Sequence, residues 1–182
     1  MKYFIGCQVR GEVAEYHRIT CTDLANRFNI DNVADIAPAY ITIKGPFERA
    51  TIDAVDNIIA LNTEVDPMPL ELTGWNHFGT RTIYVDVKPK TPGAKQFIGS
   101  ILQKLRTVGV QTMPNEMDPH LHLSVARFLN PKNYTDIMTY LSSVPAPKFD
   151  IMLDNLTIYS KESDADKTWK IVKTFPLLGV RK

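Results

Sequence analysis

The chain is short of cysteine. Cys7 and Cys21 are its only two in 182 residues, which excludes a disulfide framework and a four-thiolate zinc site. It is also short of net charge, since 21 Lys and Arg against 20 Asp and Glu leave a formal +1. That balance argues against a chain held to a nucleic acid or a membrane by bulk charge. It leaves room for a small phosphate site, which needs only a few local donors. No apolar run approaches the roughly 20 residues that span a bilayer. The apolar opening, Tyr3 to Val9, is interrupted by Gln8 and followed by Arg10, too short and too polar for a secretory leader. Low-complexity segments and long charge runs are missing as well. The expectation is a cytoplasmic protein with reduced thiols. It is a monomer by default, with no membrane attachment and no obligate protein partner.

What is present is ordinary in bulk: 44% hydrophobic and 23% charged residues, in the length of one domain. Residues 1–182 are therefore expected to form a single domain. Strand-like and helix-like patterns alternate along it. Residues 3–10 read as a strand and 12–28 as a helix. Residues 39–44 alternate as a strand that Gly45-Pro46 ends, and 48–62 carry apolar residues at helical spacing. Strands follow at 69–75 and 81–88. Thr91-Pro92 then opens a helix that Gly109 closes. The second half repeats the first in outline: a strand over 120–128, a helix from Asn133 to Leu141, and closing strands over 149–160 and 168–175. The Gly- and Pro-containing stretch 109–119 reads as a loop able to move. The class is α+β, with two related, pseudo-symmetric lobes.

The strongest local feature is His122-Leu123-Ser124-Val125-Ala126-Arg127. Strand alternation puts His120, His122 and Ser124 on one side and Leu121, Leu123 and Val125 on the core side. Imidazole moves protons and a hydroxyl donates to a phosphate oxygen, so this row suits phosphoryl transfer on RNA-like esters. Spacing alone equally allows a half-exposed strand with ordinary polar residues. The counterpart in the first half is Tyr40-Ile41-Thr42-Ile43-Lys44, where alternation puts Tyr40, Thr42 and Lys44 on one face. Both segments run ring, aliphatic, hydroxyl, aliphatic, with a cation soon after, a pattern that suggests duplication.

These two segments resemble the paired H-x-[ST]-x motifs of the 2H phosphoesterases, the 2′-5′ RNA ligase or cyclic phosphodiesterase family. His122-Leu123-Ser124-Val125 fits the second motif, and Ala126-Arg127 after it is also typical. YFIGCQV, ITIKGPF, FGTRTIYVDV and the LTIYS…WKIVKTFPL pair look like family elements in family order. The resemblance implies two antiparallel sheets with helices packed outside and a cleft between. It implies a metal-independent acid–base reaction with no cofactor, on a 2′,3′-cyclic phosphate, a 2′-5′ or 3′-5′ oligonucleotide or a cyclic nucleotide. The partner it implies is thus a small nucleotide or an RNA end.

The chain departs from that pattern at Tyr40, where the family has its first histidine. Tyrosine, with an ordinary pKa of about 10, donates a proton at neutral pH but is a poor base. The site so implied has His122 and Tyr40 as the proton-transfer pair. Thr42, Ser124, Arg127 and Lys44 are its phosphate ligands. His120 and His77 are auxiliary candidates for the missing imidazole, and no metal ligands are expected. Trp75 and Tyr84 are candidates to stack a base, although core packing suits both better. His17, beside Arg18, reads as solvent-exposed. Three readings remain open: an enzyme, a phosphate-binding protein on the same fold, and a relative whose cleft has drifted.

Overall fold

The computed structural model describes residues 1–113, 116 and 120–179. The chain order is β1 (Lys2–Gln8), α1 (Gly11–Phe28), a 3-10 turn (Val33–Asp35), β2 (Tyr40–Glu48), α2 (Asp53–Ala60), β3 (Met68–Phe78), β4 (Thr82–Pro89), α3 (Pro92–Thr107), β5 (His122–Arg127), α4 (Pro131–Leu141), β6 (Lys148–Leu153), β7 (Asn155–Lys161) and β8 (Lys170–Pro176). Two four-stranded sheets result, β2-β1-β7-β8 and β5-β4-β3-β6, and every pairing is antiparallel. The α+β class with a sheet in each lobe is as the sequence implied. No helix among the described residues is long and apolar enough to cross a membrane. Residues 114, 115 and 117–119 of the expected loop lie outside the described residues.

The lobes are not the halves of the chain. The first sheet joins the two amino-terminal strands to the last two, and the second collects the middle four. The crossing falls inside the stretch 149–160, which the sequence presents as one strand. It divides at Asp154 into β6 and β7, which belong to different sheets. Burial follows the division. β6 alternates exposed and half-buried as an edge strand does, whereas Asn155–Tyr159 of β7 are buried on both faces between β1 and β8. Buried Asn155 fixes the crossing: its Oδ1 accepts from Gln8 N and its Nδ2 donates to Gln8 O, both at 2.9 Å.

Other boundaries move for identifiable reasons. β2 runs through Pro46 to Glu48, because an edge strand tolerates a residue with no N–H to donate. The following helix is correspondingly shorter, Asp53–Ala60. Helix α4 starts at Pro131, with Asn130 Oδ1 accepting from Asn133 N at 2.8 Å. Thr91 occupies the N-cap of α3 but makes no side-chain capping bond, so Pro92 alone carries the expected signal. One apolar core, including Ile5, Ile41, Leu72, Val85, Ile98 and Leu123, is shared by both sheets and the helices.

Lys44 lies in that interior. It is 2% exposed, and its Nζ donates to Glu116 Oε1 at 2.9 Å and to Gly45 O at 3.0 Å. The same Glu116 oxygen accepts from Gly45 N at 2.9 Å, and Oε2 accepts from Met113 N at 2.7 Å. Glu116 thus ties β2 to the segment ahead of β5. Glu116→Ala leaves a buried ammonium without its counter-ion and is expected to cost about 3 kcal/mol, read from the urea midpoint. A loss below about 1 kcal/mol would mean that water takes over the carboxylate's place.

Candidate functional site

The two motif strands β2 and β5 are edge strands of their respective sheets and touch one another. Strand alternation does the first part of the placing. Ile41 and Ile43 on β2, and Leu123 and Val125 on β5, are at most 2% exposed, while Tyr40, Thr42, His122 and Ser124 are half-buried on the other face. These four side chains line one cavity of about 830 Å³, together with Arg127. Gly6, paired with Thr42, lets β2 lie close: a Cβ there would stand 3.3 Å from Tyr40 Cβ and 3.1 Å from Ile41 O.

Register shifts do the second part, and they explain which cations arrive. On β5, Tyr84 pairs with Ser124 but Ile83 pairs with Ala126, so one extra residue is inserted at Val125. In a regular strand Arg127 would face away from His122 and Ser124. The insertion reverses the alternation and turns Arg127 into the cavity. On β2, Gly6 pairs with Thr42 and Ile5 with Lys44, an insertion of the same kind at Ile43. Here its effect is opposite: Lys44 leaves the face of Tyr40 and Thr42, enters the core and meets Glu116. Lys44 is therefore not among the cavity's residues, contrary to simple alternation.

His122 is held in one tautomer. Its Nδ1 is 2.8 Å from His120 O, a group that only accepts, so the neutral ring keeps its lone pair on Nε2. The ring of Phe78, perpendicular to it at a centroid distance of 4.9 Å, and the ring of Tyr84 at 5.1 Å flank it. Burial pushes its pKa below 6.5, helped by the charges of His120 and Arg127 and opposed by the bond to His120 O and by Asp86. The imidazole is thus a neutral base at neutral pH.

Tyr40 sits against Phe4 at 4.5 Å and Tyr159 at 5.5 Å, and Arg127 Nη1 donates to its Oη at 3.4 Å. Burial raises its pKa above 10, and the Arg127 charge and hydrogen bond pull the other way. The net effect keeps the phenol protonated. With a guanidinium donating to its oxygen, the phenolic hydrogen is left to donate into the cavity.

The other candidate histidines lie elsewhere. His120 is exposed, with Nε2 at 2.8 Å from Asp86 Oδ1 and 3.2 Å from Tyr84 Oη, and it does not line the cavity. His77 is exposed at the end of β3, where Nδ1 donates to Gly79 O at 2.8 Å and the ring lies 5.2 Å from Tyr134. His17, expected in solvent, is only 3% exposed. Helix α1 packs on β5, and Nε2 donates to Ser124 O at 2.8 Å, a carbonyl on the strand's unpaired edge. Tyr84 is a buried core residue and Trp75 packs against the core, as the sequence favoured.

Sequence reasoning missed the cavity's remaining walls. Phe4, Ile36, Phe128 and Trp169 supply apolar surface, and the charged lining adds Lys2, Lys161 and Lys167 together with Asp31, Asp35, Asp164 and Asp166, Asp164 pairing with both Lys2 and Lys161. The continuous apolar run of β1 carried a usable signal. A strand buried on both faces needs a second cover, and for Phe4 that cover is Tyr40, Tyr159 and Trp169. Trp169 itself has no local signature. Among the described residues, no three His, Cys, Asp or Glu side chains are grouped as metal ligands.

The fold has solved counterparts. The protein TT0787 of Thermus thermophilus superposes with a TM-score of 0.63 at 15% identity, with 100% of each chain covered. Escherichia coli LigT complexed with 3'-AMP gives 0.63 at 14% identity, covering 97% of this chain and 96% of LigT. A structure described as a phosphoesterase gives 0.58 at 14%, covering 97% of each chain. No curated protein matches by sequence. The family model of the 2'-5' RNA ligase superfamily matches residues 12–165, and the chain belongs to that superfamily.

Proposed function

We propose that the protein is a 2H-type phosphodiesterase that hydrolyses a nucleotide 2′,3′-cyclic phosphate by acid–base catalysis. One observation carries the reading: an imidazole, two hydroxyls, a phenol and a guanidinium, from two different sheets, line the same cavity. Water attacks phosphorus while His122 Nε2 takes its proton. The bond from phosphorus to one ribose oxygen breaks, and that oxygen takes the proton of Tyr40. Thr42, Ser124 and Arg127 hold the non-bridging oxygens and oppose the charge that develops on them. The proton on His122 then returns to the Tyr40 phenolate through solvent. A cyclic phosphate is strained, so a weak acid such as a buried phenol is less of a handicap than on an ordinary diester. LigT has been crystallised with 3'-AMP, ATP and NADP+, which supports a nucleotide as ligand here. The buried, unpaired Cys7 and Cys21, their thiols pushed up to about 11 and about 12 by burial, suit a reducing compartment such as the cytoplasm.

A second reading, a nucleotide-phosphate binding protein without turnover, is favoured by the burial of Tyr40, which makes its phenol a weaker acid. Incubation with 2′,3′-cyclic nucleotides, 2′-5′ dinucleotides and cyclic dinucleotides separates the two. Turnover of the cyclic phosphate supports the enzyme, whereas binding without product supports the second. Either reading requires the two hydroxyls. Thr42→Ala and Ser124→Ala are each expected to weaken phosphate binding by about 0.5–3 kcal/mol, measured by calorimetry. Unchanged affinity in both variants would remove the hydroxyls from the site.

A further inference from the structure

Phe128 has no part in the acid–base chemistry of the cavity it lines. It follows Arg127 at the end of β5 and is 65% exposed. Its backbone is left-handed, with φ +57°, a region that β-carbon sterics disfavour and that Gly or Asn enters more readily. The turn has a structural reason. Leu129 must enter the core, where it is 5% exposed and its N–H donates to Arg81 O at 3.1 Å, before Asn130 caps α4. That reason asks for a left-handed residue and not for an aromatic one. The phenyl ring buries little, and the Arg127 guanidinium lies over it, 5.2 Å from the ring centroid. Strain combined with an exposed aromatic side chain at a cavity is a pairing that function explains better than stability.

We infer that Phe128 is the stacking platform for the nucleobase of the ligand whose phosphate lies at Arg127, Ser124 and Thr42. The inference rests on the reading of the cavity as a nucleotide-phosphate site and adds the group that recognises the base. Arg127 supplies the link, since it reaches Tyr40 Oη at 3.4 Å on one side and lies over Phe128 on the other. A phosphate held by Arg127 therefore has Phe128 one residue further along the chain. With the guanidinium over one face of the ring, a planar base laid on the other face completes a cation–ring–base stack, the arrangement by which aromatic side chains bind unpaired bases of any sequence.

The test compares a ligand that has a base with one that has none. Calorimetric titrations of wild type, Phe128→Gly, Phe128→Asn and Phe128→Trp use adenosine 3′-monophosphate and, separately, inorganic phosphate. Gly and Asn both accept the left-handed backbone, so both variants are expected to fold with thermal midpoints no lower than the wild type. Their affinity for the nucleotide is expected to fall roughly 5- to 150-fold, the usual worth of one stacked base. Inorganic phosphate is expected to bind all four proteins alike, and Phe128→Trp to keep the nucleotide affinity. Unchanged nucleotide affinity in both ringless variants, or an equal loss for phosphate, overturns the stacking role and leaves the phosphate site standing. A wild type that binds neither compound overturns the reading of the cavity and the stacking role with it.

Discussion

His122→Ala is expected to slow hydrolysis of a 2′,3′-cyclic nucleotide by about 10²- to 10⁴-fold, the usual worth of a positioned general base, which would bring a slow enzyme to the assay floor. The size follows from what the cavity holds. His122 is its only imidazole among the described residues, because His120 faces Asp86 and His77 faces Gly79 and Tyr134. No second histidine among them stands ready to take over. The ring is also set for the role, since the bond from Nδ1 to His120 O leaves Nε2 to receive a proton, and burial keeps it neutral at neutral pH. Nucleotide affinity is expected to change much less, because the hydroxyls and Arg127 remain. Initial rates and a binding titration on one preparation give both numbers. A variant that turns over at the wild-type rate would remove His122 from the chemistry.

Much of this is legible in the sequence, and the parts that are not share a cause. Alternation alone puts Tyr40, Thr42, His122 and Ser124 on the open faces of two strands, and the structure brings those four to one cavity. Alternation fails two or three residues later on each strand. A single inserted residue changes every subsequent side chain's face, and nothing in Ile43 or Val125 announces an insertion. The same local event therefore sends Lys44 into the core and Arg127 into the cavity. His17 departs from expectation for a related reason. Its place at helical spacing from Val13, Cys21 and Leu24 marks the buried face of α1, but the acceptor that makes a buried imidazole tolerable there lies on an edge strand 107 residues away. The division of 149–160 between two sheets is also a long-range matter, fixed by the grip of Asn155 on Gln8. Trp169 and Phe4 meet through the fold alone.

Tyr40→His is expected to raise the rate and, more tellingly, to change its dependence on pH. In the proposed mechanism His122, as the base, must be unprotonated, and burial holds its pKa below 6.5. The value of kcat/KM therefore rises through a pH below that point and then levels off. The acid Tyr40 must keep its proton, and its pKa lies above 10, so the plateau extends through the whole neutral range. A histidine at position 40 brings the acid limb down into the imidazole range. The surroundings of position 40 would push it further, since the burial that raises a phenol lowers an imidazole, and the adjacent Arg127 charge lowers it again. The expected profile is a narrow bell with its optimum below neutral pH, because both imidazoles are lowered and each must be in the opposite protonation state. At that optimum the better-matched acid is expected to gain about 10²-fold over the wild type. Tyr40→Phe, which keeps the ring and removes the proton, is expected to lose a similar factor with little change in affinity. If Tyr40→Phe is fully active and Tyr40→His keeps the flat profile, the leaving oxygen takes its proton from water. Tyr40 is then the part of the wall that holds Arg127 over the phosphate.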